Sequence, residues 1–82
     1  MNAIRERMDR DMRKQRIVSK VADEVYRLGR GVTIAEIAEL VELKRSPYLL
    51  QCIDELCYEG KLDWRLDVLP GGFVARTFFL AH

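Results

Sequence analysis

Two cysteines, one histidine and 13 carboxylates are the side chains of this 82-residue chain best suited to covalent or acid–base chemistry, and their spacing does not assemble them. His82 is the last residue. Cys52 and Cys57 lie five apart, about 140° around a helix, which fits neither a metal knuckle nor a disulfide framework. No basic neighbour stands by to lower a thiol pKa. No catalytic residue, metal or cofactor is therefore expected, and the chain is not expected to be an enzyme. What remains is charge. Arg13, Arg16, Lys20 and Arg27 fall within about 60° of one another on a helix, a row that could follow a phosphate backbone or stay solvated. A second line, Ile4, Met8, Met12, Gln15, Ser19 and Tyr26, lies mostly off the apolar face of the same helix. Its methionines suit an adaptable contact surface, so a homodimer through the N-terminal helix is expected; the alternative is a frayed tail.

The elements that must carry these side chains are small. A chain of this size buries only about 60% of its unfolded surface, so one core is expected. At 49% hydrophobic and 33% charged the composition is globular. No apolar run approaches the roughly 20 residues of a membrane span, and the charged N-terminus is unlike a secretory signal. A cytoplasmic protein is the plain expectation. The net charge of +1 conceals an uneven distribution: residues 1–20 carry seven basic groups against three acids, and residues 21–60 carry four against eight. Such asymmetry points to a partner.

Residues 2–28 contain neither Gly nor Pro, and Ile17, Val18, Val21, Ala22, Val25 and Leu28 recur at helical steps. Gly29 and Gly31 end that helix. Going backwards, its core face meets Lys14 and Arg10. Core contact should therefore stop near Arg16, leaving residues 1–15 as a basic helical extension to a domain at 16–82. Thr33 and Glu36 form a capping box for a second helix carrying Ile34, Ile37, Ala38 and Val41. Ser46-Pro47 starts a third, cap then proline, with Leu49, Ile53 and Leu56 as its core stripe and Gly60 as its stop. Leu62, Trp64, Leu66 and Val68 then alternate with charged residues as a half-buried strand does. Pro70-Gly71-Gly72 is a turn. Residues 73–80 return with Val74, Phe78 and Leu80 on the face of Trp64 and Val68, so the hairpin turns an apolar side to the helices. Arg76 is the misfit on that side, explained by a cross-strand pair with Asp67 or by another register. Trp64, Phe78 and Phe79 read as core before they read as a base-stacking platform. The fold class is mainly α with a β-hairpin (α+β).

Ile34-Ala35-Glu36-Ile37-Ala38, Leu43, Ser46, Ile53-Asp54-Glu55-Leu56 and Glu59-Gly60-Lys61-Leu62 together resemble the pattern of bacterial and archaeal winged helix-turn-helix regulators. The resemblance covers residues 17 to 80 and rests on core and turn positions. Glu42 stands where that family usually has Gly in the turn. It implies three helices followed by a two-stranded wing, here with an extended N-terminal helix. The function it implies is that of a transcriptional regulator binding double-stranded DNA, with the third helix in the major groove. Lys44, Arg45, Ser46, Tyr48 and Gln51 would then face the duplex. Arg45 can donate two bonds to guanine and Gln51 can pair with adenine, while Ser46 and the helix N-terminus would hold a phosphate. Arg65 and Arg76 in the wing, with Arg13, Arg16 and Lys20, would meet flanking phosphates. The alternative is a protein–protein interaction module on the same scaffold. It is motivated by the acidic middle of the chain, the few basic residues on the third helix and the bare Pro-Gly-Gly wing tip.

Overall fold

The computed structural model describes residues 2–42 and 46–81, with side chains from residue 9 onward. It is an α+β protein of three helices and a three-stranded antiparallel sheet, in the order α1 (Asn2–Leu28), β1 (Val32–Thr33), α2 (Ile34–Leu40), α3 (Pro47–Tyr58), β2 (Leu62–Val68) and β3 (Val74–Leu80).

The helix boundaries follow local chemistry. α1 stops where the Gly29 N–H donates to the Val25 carbonyl at 2.9 Å. At the head of α2, Thr33 Oγ1 accepts from the Glu36 N–H at 3.2 Å, and the Glu36 carboxylate accepts from the Thr33 N–H at 3.0 Å. Two of the donors that every helix start leaves orphaned are thereby satisfied reciprocally. Ser46 caps α3, its hydroxyl accepting from the Leu49 N–H at 3.3 Å, with Pro47 at the first position. Between α2 and α3, Glu42 takes φ +57°, a left-handed conformation that disfavours a side chain. This is the position at which the resembling family places Gly.

The sheet runs β1-β3-β2. Trp64 pairs with Phe78, Leu66 with Arg76 and Val68 with Val74, the register expected from a three-residue turn. The third strand is an addition to the expected hairpin. Val32 and Thr33 pair with Phe78 and Thr77, and two residues are too few to show an alternating pattern. Gly31 allows the approach: a Cβ there would lie 2.5 Å from Thr77 Oγ1 and 2.7 Å from Thr77 Cβ.

One core unites Ile17 and Val21 of α1, Val32, Ile37, Ala38, Val41, four residues of α3 (Leu49, Cys52, Ile53, Leu56), Leu62 and Phe78. The hairpin meets it only at its base. Leu62 and Phe78 are buried, whereas Leu66, Val68 and Val74 are 64%, 73% and 64% exposed and Trp64 is also open to solvent. This corrects the expectation of an apolar side wholly against the helices. Each seven-residue strand spans about 23 Å, and the distal half runs past the helices.

Candidate nucleic-acid interface

The acidic third helix is neutralised by its neighbours. Arg10 reaches Glu55 at 3.3 Å, and Lys14 pairs with Glu55 at 3.5 Å and with Glu59. Lys61 lies 4.0 Å from Glu59, and Arg76 lies 3.6 Å from Asp54. The hydrogen bond from Lys14 holds the Glu59 carboxyl below its ordinary range and raises the Lys14 ammonium in return. α1 thus does not leave the body at Arg16. It is helical throughout residues 2–28, and its cations at 10 and 14 match acids at 55 and 59 with the same four-residue step. Buried apolar contact does stop where the loss of apolar residues predicts, Ile17 being the first core residue of α1, but polar contact with α3 continues back to Arg10. Arg10 and Lys14 lie outside the expected site. Their signal in the sequence is that of cations on the core face of one helix, opposite an acidic ladder on another.

Among the described side chains, Arg13, Arg16 and Lys20 are the lysines and arginines that pair with no carboxylate. Arg27, the fourth member of the expected row, is bound to Glu24. Arg13 and Arg16, with Val41 and Glu42, line a groove of about 270 Å³ between α1 and the end of α2. Arg13 also stacks over the ring of Tyr48, 5.6 Å from its centroid, and Arg10 does so at 5.8 Å. The first turn of α3 is tied to the basic row in this way. Of the expected site residues, the structure thus brings Arg13, Arg16 and Tyr48 together; Tyr48 is half-buried and Gln51 exposed, and Ser46 serves as the α3 cap. Lys44 and Arg45 lie outside the described residues.

The two hairpin arginines are on opposite faces of the sheet. Arg65, opposite Thr77, bonds to Asp67 at 3.1 Å and stacks on Phe79 at 5.5 Å. Asp67 also accepts from Thr77 Oγ1 at 2.6 Å. The Thr77 hydroxyl and then Arg65 hold the Asp67 carboxyl below its usual range. Arg76 does not pair with Asp67. It lies 4.4 Å over the Trp64 ring and 5.1 Å from Phe78, beside Asp54, with its Nε buried and without a hydrogen-bond partner. It joins sheet to α3, while Arg65 stays at the surface.

Of the line expected at a dimer seam, Met12, Gln15, Ser19 and Tyr26 are exposed on α1, and the side chains of Ile4 and Met8 are outside the described residues. Burial pushes the Cys57 thiol up, which favours the unreactive thiol form. Among the described residues no cluster of three or more His, Cys, Asp or Glu could hold a metal ion, and no helix is long and apolar enough to cross a membrane. Compared with models of known families, with curated proteins and with solved structures, the chain matches none.

Proposed function

We propose that the chain binds double-stranded DNA as a winged helix-turn-helix regulator, α3 entering the major groove and α1 tracking the adjacent phosphates. The observation that carries the reading is the pairing of charge. Seven described cations are committed to carboxylates, and the three left over, Arg13, Arg16 and Lys20, share one side of α1, with Arg13 stacked on Tyr48 in the first turn of α3. Uncompensated cations on one helix side are what a phosphate backbone selects. Neutralisation of Asp54, Glu55 and Glu59 lowers the repulsion that an acidic third helix would present to DNA. The helix order and the β1-β3-β2 sheet are in keeping with a winged helix.

Titration of a labelled duplex at two salt concentrations tests this. Binding should weaken with salt, and changing Arg13, Arg16 and Lys20 together to Ala should lower the log–log slope by roughly 2–3, about 0.9 for each phosphate no longer neutralised. A chain that fails to bind duplex at low salt, or binds it without a salt slope, refutes the proposal. A second reading, a protein-interaction module, is favoured by the exposed Leu66, Val68, Phe73 and Val74 of the hairpin.

A further inference from the structure

β2 is an edge strand with a defined set of free backbone groups. The Leu69 N–H donates to the Phe73 carbonyl at 2.7 Å and the Ala81 N–H to the Lys61 carbonyl at 3.2 Å. Both pairs involve odd-numbered residues of the first strand. Hydrogen-bonded and non-bonded pairs alternate along an antiparallel ladder, so Asp63, Arg65 and Asp67 bond to β3. Leu62, Trp64, Leu66 and Val68 point their N–H and C=O groups to the open edge. Seven consecutive pairs without a bulge, and no Pro within β2, leave the charges of Asp63, Arg65 and Asp67 as the protection this edge carries against pairing.

The sequence along this edge is complementary to itself. Trp64-Arg65-Leu66-Asp67-Val68, run antiparallel to a second copy about Leu66, sets Leu66 against Leu66, Arg65 against Asp67, and Trp64 against Val68. Centring on Arg65 would instead oppose Arg65 to itself and Asp63 to Asp67, and centring on Asp67 would oppose Asp67 to itself. Like charges directly opposite destabilise a strand pair. Centring on Trp64 also matches charges, but the Trp64 N–H is already taken by the Asp63 carboxylate at 2.8 Å, which would block both central bonds. The Leu66 register has free groups at its centre.

We infer that a second copy of this chain pairs with β2 through the Leu66-centred register, making one continuous six-stranded sheet. Two Leu66–Leu66 bonds form at the axis, and the Val68 N–H of each copy donates to the Trp64 carbonyl of the other. The twofold axis stands perpendicular to the sheet, so Trp64, Leu66 and Val68 of both copies join in one apolar strip. On the opposite face Arg65 and Asp67 of the two copies make a ring of alternating charge. The seam lies on the strand edge, not on the α1 line, where Met12 and Tyr26 are separated by Gln15 and Ser19. The inference stands apart from DNA binding.

The test is sedimentation equilibrium of wild type and charge variants, each checked for folding by circular dichroism. Wild type should double in mass with rising concentration, as a short seam at the small end of interface sizes requires. Arg65→Asp and Asp67→Arg each oppose like charges at both contacts and should weaken self-association about tenfold or more. Mixed one to one, they should recover the dimer, because each arginine at the seam then faces an aspartate of the other variant. In the Trp64-centred register the same mixture would stay monomeric. There the new acid at position 65 would face Asp63 of the other copy, and the new base at position 67 would face Lys61. Leu66→Glu, which leaves the Asp67–Thr77 bond intact and sets an acid opposite Arg76 within its own hairpin, should be folded and monomeric, and it decides the matter if Asp67→Arg does not fold. A monomeric wild type, a dimer that survives Leu66→Glu or the single charge changes, or folded variants that fail to associate on mixing would each overturn the inference.

Discussion

Gly31 shows how one missing methyl group shapes the sheet. Its backbone lies so close to Thr77 that a side chain would sit on the threonine hydroxyl, and that hydroxyl cannot swing aside without leaving Asp67. Gly31→Ala should therefore cost about 1–3 kcal/mol, the range for overpacking a filled site, read as a lower midpoint in urea unfolding. A smaller loss would mean that β1 shifts away freely. The glycine is legible in the sequence only as part of a helix stop, because the residue it accommodates is 46 positions further on. Arg76 is hidden for the same reason. As the one charge on an apolar strand face it is conspicuous, but its partners Asp54 and Trp64 come from two other elements, and a cross-strand acid is the nearest partner that the strand alone offers.

The start of α2 concentrates several polar contacts in one turn. Arg30 donates to both Glu36 oxygens at 3.0 Å and to the Gly31 carbonyl at 2.8 Å, while Glu36 completes the capping box. The guanidinium first, and the Thr33 groups after it, hold the Glu36 carboxyl below its ordinary range. A depressed carboxylate pKa stabilises the fold fully above the unfolded value and loses that contribution as pH falls through the folded one. Stability should thus decline as pH drops below the ordinary glutamate range. Glu36→Gln should flatten part of that decline and cost roughly 0.5–1 kcal/mol at neutral pH, since Gln can keep the cap but not the ion pair. Asp67 and Glu59 titrate in the same direction, so a residual slope should remain; thermal melts at a series of pH values measure both. Elements signalled by contiguous residues are readable from the chain alone: the capping box, Ser46-Pro47, the glycine stops and the hairpin register. β1 is not, because its strand character exists only through β3. Of the candidate site, the basic row on α1 is legible as spacing. Which of its cations stay uncompensated depends on where α3 lies.

Across the whole molecule, charge is arranged so that two helices of opposite sign cancel along their contact while one side of α1 remains positive. On the proposed DNA reading this sets a limit on affinity, because Arg10 and Lys14 are held by Glu55 and Glu59. Glu55→Gln with Glu59→Gln should release them, raising affinity for duplex at low salt and steepening its salt dependence by up to roughly 0.9 per additional phosphate neutralised. An unchanged slope would place those two cations away from the duplex. The pairing of β1 with β3 also bears on the order in which the chain assembles. Joining Val32 to Phe78 closes a long loop for the return of only two residue pairs, and loop closure is an entropic cost that must be met before the contacts repay it. The hairpin and the helices can form on local contacts first, so β1 joins a sheet that already exists. The loss in Gly31→Ala should accordingly show as faster unfolding with little change in the folding rate. Those two residues act as a late latch, fastening the end of the first helix to the last strand.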